Sequence, residues 1–250
     1  MLKAQRLEAI LHMVNMQGSV KVSDIMQYLD VSDMTVRRDL QELEEAGDLK
    51  RVHGGATSIQ RYPAQELSHI DKQIIHLKEK TSVAKTAGKL VEHGDTIFIG
   101  PGTTMELFAE YLPQVDVRIV TNCWPVFKKL IDRNMDAILL GGKIRKKTEA
   151  FIGDIPNTFL EQMRFNKAFV SGNGVFDNKI ATSTTEEART QALALEHSVE
   201  KYLLIDDSKV NRRDFISFYD IEKLTNIIIN QDEQNKYKSL EKTVPVILAD

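Results

Sequence analysis

The apolar residues near the N-terminus recur with a helical period. Leu7, Ile10, Leu11 and Val14 fall at i, i+3, i+4 and i+7, which is one face of a helix, and Gly18 follows as its terminating glycine. A second, short helix is expected from Ser23 to Leu29, with Ser23 as its cap and Ile25, Met26 and Leu29 turned inward. A tight connection, Asp30-Val31-Ser32, leads to a third helix. Ser32 is placed to cap it by accepting from a backbone N–H near Thr35, and Val31 and Val36 occupy the two positions of a hydrophobic staple. Val36, Leu40 and Leu43 form the buried stripe. At about 100° per residue, Met34, Arg38 and Gln41 point the other way, with Thr35 and Arg37 on the flanks. After Gly47, alternation from Leu49 to His53 predicts a strand, and Gly54-Gly55 predicts a hairpin turn.

The pattern then changes. Residues 58–78, with Tyr62-Pro63 and mixed charges, lose clear periodicity and are expected to be a linker containing a helix that begins near Ser68. From Glu79 onward, helical stripes alternate with short apolar runs. The runs are Thr96-Ile97-Phe98-Ile99, Val117-Arg118-Ile119-Val120, Ala137-Ile138-Leu139-Leu140, Ala168-Phe169-Val170, Tyr202-Leu203-Leu204-Ile205, Ile227-Ile228-Ile229 and Val246-Ile247-Leu248. Helices fit between them, for example Met105 to Leu112 and Glu186 to His197. This is the pattern of an α/β domain with a mainly parallel sheet. The expected organisation is therefore a small helical domain with a wing over 1–57, a linker over 58–78, and an α/β domain over 79–250.

Charge sharpens the first domain more than composition does. The whole chain carries a formal charge of −3, and residues 1–57 hold seven Lys or Arg against nine Asp or Glu, a net −2. Any affinity for nucleic acid must rest on where the cations sit. A single cysteine, Cys123, excludes an internal disulfide and a cysteine-spaced zinc site, which fits a reducing, cytoplasmic setting. No apolar run approaches the ~20 residues needed to span a bilayer, and Lys3, Gln5, Arg6 and Glu8 leave no signal-peptide core. No cofactor and no metal are expected.

The third helix has the layout of a recognition helix, with a buried stripe backed by Met34, Thr35, Arg37, Arg38 and Gln41. Arg pairs with guanine, Gln with adenine, and Thr with a phosphate or a thymine methyl. Lys50, Arg51 and His53 make the hairpin behind it a basic wing. Asp39, Glu42, Glu44 and Glu45 stand against this reading, because acids repel phosphates. The competing reading is a three-helix bundle that binds a protein.

In the second domain the strand ends share a character. Gly100-Pro101-Gly102-Thr103-Thr104 before a helix offers backbone N–H groups, two hydroxyls and a helix N-terminus, which suits a phosphate. The other ends read Thr121-Asn122, Gly141-Gly142-Lys143-Ile144-Arg145, Ser171-Gly172-Asn173-Gly174-Val175 and Asp206-Asp207-Ser208-Lys209. Glycines after strands are often only turns. Small, polar and cationic groups at five successive strand ends nevertheless compose a pocket for a phosphorylated polyol.

Val31-Ser32-Asp33-Met34-Thr35-Val36-Arg37-Arg38-Asp39-Leu40 with His53-Gly54-Gly55-Ala56 resembles the DeoR-type winged helix-turn-helix. The GPGTT loop, LLGGKIR, SGNGV, TTEEA and DDSKV resemble the DeoR-type effector domain, which is similar to sugar-phosphate isomerases of the ribose-5-phosphate type. The resemblance implies a repressor that forms a dimer or tetramer on operator DNA and answers to a phosphorylated sugar. It implies Gly102, Thr103 and Thr104 for phosphate, and Arg145, Asn173, Glu187 and Lys209 as pocket groups. VTNCWPVF and SGNGV are closer still to the branch that controls lactose use in Gram-positive bacteria, whose inducer is tagatose 6-phosphate; fructose 1-phosphate and glycerol 3-phosphate stay open. An active isomerase is the alternative. It needs a base and acid partners. Glu187 offers a base with Lys209 as an electrostatic partner, but SGNGV has no carboxylate before Asp177.

Overall fold

A computed structural model describes residues 3–58 and 67–249. The chain divides into two compact units, Met1–Glu66 and Leu67–Asp250.

The first unit runs α1 (Lys3–Gln17), β1 (Ser19–Lys21), α2 (Val22–Leu29), α3 (Asp33–Glu45), β2 (Leu49–Val52) and β3 (Gly55–Ser58). Ile10, Val14, Ile25, Val36, Leu40, Leu43, Leu49 and Ala56 form its core, so the three helical stripes meet as the periodicity requires. Ser32 caps α3, accepting from the Thr35 N–H at 3.4 Å, and Val31 packs on the cluster that contains the fully buried Val36. Asp30 turns the chain with φ +52, donating its N–H to the Met26 carbonyl.

Two local expectations are corrected. Ser23 does not cap α2, which starts at Val22 behind Lys21; the Ser23 hydroxyl donates to Asp24 instead. The reason is β1, a strand too short to show alternation. It pairs with β3 and feeds directly into α2, where the Val22 N–H donates to Gly54 O at 2.8 Å. A first-turn donor of the helix is thus satisfied by the wing, and α2 starts without a side-chain cap. The hairpin turn is His53-Gly54, not Gly54-Gly55. Gly54 takes φ +78, while Gly55 already pairs with Val52 and with Lys21. Gly55 is small for another reason: a Cβ there would lie 2.1 Å from the Val20 carbonyl oxygen.

The second unit runs α4 (His69–Gln73), α5 (Leu77–Gly88), β4 (Thr96–Ile99), α6 (Thr103–Glu110), β5 (Arg118–Thr121), α7 (Trp124–Asp132), β6 (Ala137–Leu139), β7 (Lys143–Arg145), β8 (Ala150–Ile152), α8 (Asp154–Gln162), β9 (Phe165–Val170), β10 (Gly174–Phe176), β11 (Lys179–Thr182), α9 (Thr185–Glu196), β12 (Ser198–Leu204), β13 (Ile216–Asp220), β14 (Asn226–Asn230) and β15 (Val246–Ala249). The seven apolar runs named above are the seven strands of one sheet, ordered β15-β14-β12-β9-β4-β5-β6 and parallel throughout. Phe98, Ala168, Val170 and Leu203 face one core, and Ile97, Ile99, Phe169 and Leu204 face the other. Both faces are covered, which is why the strands read as continuous apolar runs. The chain lays β4, β5 and β6 in one direction, then returns to place β9 on the other side of β4. The order therefore reverses between β4 and β9, where open α/β sheets bind ligands.

Two small sheets were not foreseen, the antiparallel hairpin β7–β8 and the sheet β10-β11-β13. Lys143 to Arg145, expected to follow a flexible turn as loose cations, is a paired strand. The division between the two units falls inside the expected linker 58–78. Ser58 ends β3, residues 59–66 lie outside the described residues, and the chain from Leu67 packs with the second unit. Ser68 and Asp71 form a capping box for α4, and the buried His69 meets Glu106 at 2.8 Å. This anchor is polar and α4 is one short helix, so hydrophobic periodicity could not show it.

Replacing Gly55 with Ala should destabilise the first unit by about 2 kcal/mol through overpacking against β1. Gly54→Ala, which meets open space and only strains φ, should cost about 1 kcal/mol. Denaturant unfolding of the full chain, followed at the first unit's transition, checks the ranking; equal losses would contradict it.

Candidate functional site

In the first unit, the outward face of α3 carries exposed Met34, Arg37, Arg38 and Gln41, with Thr35 half-buried beside the Ser32 cap. Lys50 and His53 are exposed on the wing, and Arg51 is half-buried. The four acids that stood against a nucleic-acid face are accounted for one by one. Asp39 is buried and receives the Arg6 guanidinium of α1 in a two-pronged bond, at 2.5 and 3.0 Å. Glu42 pairs with Lys3 at 2.6 Å. Glu44 accepts the Arg51 N–H at 2.7 Å, which ties the wing to the helix. Glu45 accepts from Gln41 at 2.9 Å. The same bookkeeping limits the cations. Arg37 leans back onto Asp33 at 2.5 Å, whereas Arg38 makes no ion pair among the described residues.

In the second unit, Gly102 to Thr104, Asn173 and Lys209 follow the carboxyl ends of β4, β9 and β12, three neighbouring strands, while Arg145 and Glu187 come from β7 and α9. Gly102 precedes α6 with φ +138, a conformation that L side chains avoid. A Cβ there would come within 3.5 Å of Ser171, so the loops after β4 and β9 touch at the reversal point. Thr103 and Thr104 open α6 and are buried.

Asn173, after β9, binds groups from three other segments. Its amide donates to Ser183 and to Asp214, each at 2.7 Å, and its carbonyl accepts from Lys72 of α4 at 3.1 Å. Lys72 brings a cation that the sequence had left in the linker. Its backbone carbonyl accepts from Lys80 Nζ at 2.5 Å. Lys209 follows β12. It keeps some exposed surface, yet the ammonium is enclosed enough that burial pushes its pKa down to about 7, with Arg212, Lys72 and Lys80 adding to the fall and Asp206 opposing it. Burial likewise pushes Lys80 down to about 8, with Lys72 contributing and Asp206 opposing. Burial would raise the Asp206 carboxyl, but Lys209, the Ser208 hydrogen bond, His76 and Lys80 hold it low. Four cations, Lys72, Lys80, Lys209 and Arg212, thus share one end of the sheet with Asp206 and Asp214. Lysines whose charged form is disfavoured this way gain from an added anion.

A second constellation surrounds Glu187. This buried carboxylate sits in the first turn of α9. It accepts from Arg145 at 3.3 Å, from Thr182 at 3.4 Å and from the Thr148 hydroxyl, so the β7–β8 hairpin is pinned to α9. One turn along α9, Gln191 Oε1 lies 3.3 Å from where a Gly100 Cβ would stand. Gln191 Oε1 and Asn122 Oδ1, at the end of β5, are buried acceptors with no hydrogen-bond partner among the described residues.

The structure therefore joins Gly102 to the β9 loop, Asn173 to the cations, and Arg145 to Glu187. Sequence reasoning missed Lys72, Lys80, Arg212 and Asp214. Lys80 left a signal, because it falls on the buried stripe of α5 with Val83, Ala84 and Ala87, where a lysine is out of place. Arg212 left none in sequence, although Gly174 did: a Cβ there would strike the Arg212 carbonyl oxygen at 2.1 Å, so SGNGV needs its second glycine to let that loop pass. Cys123 is buried and its thiol is pushed up to about 12, mainly by burial, which makes it inert. Among the described residues no group of three or more His, Cys, Asp and Glu is placed to hold a metal.

Comparison with known proteins agrees with both halves. Residues 6–62 match the DeoR-like helix-turn-helix domain, and residues 75–231 match the DeoR C-terminal sensor domain. The chain is 46% identical over 250 residues to the lactose phosphotransferase system repressor of Streptococcus mutans, covering 99% of this chain and 100% of that one. It is 47% identical over 248 residues to the protein of that name from Staphylococcus epidermidis, covering 98% and 99%. Among solved structures, ribose 5-phosphate isomerase A of Methanocaldococcus jannaschii overlaps 52% of this chain and 53% of that one, at 18% identity and a TM-score of 0.39. With its helix-turn-helix unit, its parallel-sheet sensor unit and these relatives along nearly its whole length, the chain belongs to the DeoR family.

Proposed function

We propose that this protein is a DNA-binding transcription repressor of a sugar-utilisation operon, released from its operator by a phosphorylated sugar. The observation that carries the effector half is the cation cluster of Lys72, Lys80, Lys209 and Arg212 at the strand reversal. A phosphate dianion there offsets the burial and the neighbouring cations that lower Lys209 and Lys80. The Gly102-Thr103-Thr104 turn supplies backbone N–H groups beside it. Asn173, Glu187 with Arg145, and the unpaired carbonyl oxygens of Asn122 and Gln191 meet the hydroxyls of the sugar. Tagatose 6-phosphate is the first candidate, since the relatives along the whole chain are lactose phosphotransferase system repressors.

The DNA half rests on α3 and the wing. Two copies of the chain present two α3 helices to successive major grooves, with Lys50 and Arg51 on phosphates and His53 at the wing tip. The effector acts by binding more tightly to the DNA-free arrangement. Lys72 gives that step a physical handle: α4, the first described element of the second unit, sends this side chain to Asn173.

One observation favours the isomerase alternative. Asp214 stands 2.7 Å from Asn173, so a different loop supplies in space the acid that SGNGV lacks. Its Oδ2 already accepts from Asn173 and Ser183, and Glu187 accepts from three donors, which leaves neither poised to move a proton. Turnover of any sugar phosphate in a panel, lost in Glu187→Gln, would establish that alternative.

Gel shifts on a fragment upstream of the chain's own gene, challenged with phosphosugars and their unphosphorylated parents, test the proposal. Only phosphorylated sugars should release the fragment. Lys209→Gln and Lys72→Gln should each bind DNA normally but need about 10 to 100 times more effector, the loss of one charge-assisted contact. Release by an unphosphorylated sugar at equal concentration would contradict the phosphate assignment.

The lowered lysines also set a pH dependence. Binding a dianion raises their pKa values, so it takes up protons, and effector affinity should fall on the order of tenfold between about pH 7 and about pH 8.5. Calorimetric titration at the two pH values checks the direction; affinity that rises with pH would contradict it.

A further inference from the structure

We propose that Met34 is a specificity-determining residue that reads the C5-methyl group of a thymine in each half-site. The inference rests on the DNA-binding reading above and names what its reading face takes. Met34 is the second residue of α3 and stands 81% exposed. Among the described residues of the first unit, only Tyr28 and Val52 are other large apolar side chains left bare, and Met34 is the barest. Apolar residues elsewhere in α3 are buried, so the fold has no use for this one.

The neighbours narrow the chemistry. Thr35 and Ser32 hydrogen-bond each other through their hydroxyls at 3.0 Å, Arg37 is held by Asp33 and Gln41 by Glu45. Asp39, Glu42 and Glu44 are turned into contacts with α1 and the wing. What remains uncommitted at the start of the helix is one thioether, Met34, and one guanidinium, Arg38. They lie at i and i+4, on the same face and about 6 Å apart along the axis. The N-terminal part of a recognition helix is the part that meets base edges. In the major groove the apolar feature is the thymine methyl, and the feature matched to a guanidinium is the O6/N7 edge of guanine. A 6 Å separation spans one to two base steps. The geometry therefore assigns each half-site a thymine and a guanine within two steps of each other, read by Met34 and Arg38 respectively.

The experiment uses the full chain and a duplex that it enriches from a randomised pool. Each thymine of that duplex is replaced singly by deoxyuracil, which removes only the methyl group, and each guanine by 7-deazaguanine. Wild type should lose about fourfold in affinity at one thymine per half-site, the worth of one buried methyl. Met34→Ala should bind the thymine and uracil forms equally, while Met34→Leu keeps the preference. The guanine one to two steps away should lose its 7-deaza sensitivity only in Arg38→Ala. Thermal unfolding of Met34→Ala should match wild type, because the side chain touches no core. The proposal is overturned if no thymine shows a methyl effect that Met34→Ala abolishes, or if the methyl effect survives in Met34→Ala. Failure to enrich any sequence would bring down the DNA-binding reading itself, and this inference with it.

Discussion

Lys72, Lys80, Lys209 and Arg212 crowd one end of a parallel sheet, with Asp206 and Asp214 close by. Like charges held in low dielectric repel, and burial adds to the cost. The fold tolerates the cluster because its contributors are fixed by independent means. Lys80 rides on the buried stripe of α5, and Lys209 is held by the turn after β12 that Asp206 organises through Ser208. Arg212 sits on a loop that passes over Gly174. Lys72 comes from α4, which His69 and Gln73 tie to Glu106 on α6. In the function proposed above, a bound anion would offset the positive charge that the four bring together.

The first unit handles charge in the opposite way. It is net negative, yet its outward helix face is not, because each acid of α3 beyond Asp33 is bound within the unit. The Arg6–Asp39 bond does double duty: it anchors α1 to α3 and removes a carboxylate from the face that would meet phosphates. The cations left outward are few, so one copy of the head carries little electrostatic attraction. Paired copies would supply the rest, and their affinity would fall steeply with salt. Control over how two heads are held would then be an efficient lever, since neither head would need to bind strongly alone.

Much of this was legible in the sequence where the signal was hydrophobic or local. Every strand of the large sheet announced itself as an apolar run, and the Ser32 cap with its Val31–Val36 staple marked the start of α3. The strand-end loops pointed to one edge because parallel strands send their carboxyl ends to one side. What stayed hidden was polar and distant. Lys72 and His69 lie in a stretch without periodicity, and only the fold brings them to Asn173 and Glu106, 101 and 37 residues away. Strands of three residues, such as β1 and β7, are too short to alternate. Three of the α3 acids, Asp39, Glu42 and Glu44, looked like an objection because their partners, Arg6 and Lys3 on α1 and the Arg51 amide on the wing, are joined to them only by tertiary folding.

The central claim is a linkage: effector and operator compete through one equilibrium of the same chain. The most direct measurement is the affinity of tagatose 6-phosphate for the free protein and for the protein saturated with its upstream DNA, by titration at fixed pH and salt. The account predicts weaker binding to the DNA-bound form, by the same factor by which saturating effector weakens DNA binding. Equal affinity for the two forms would contradict it.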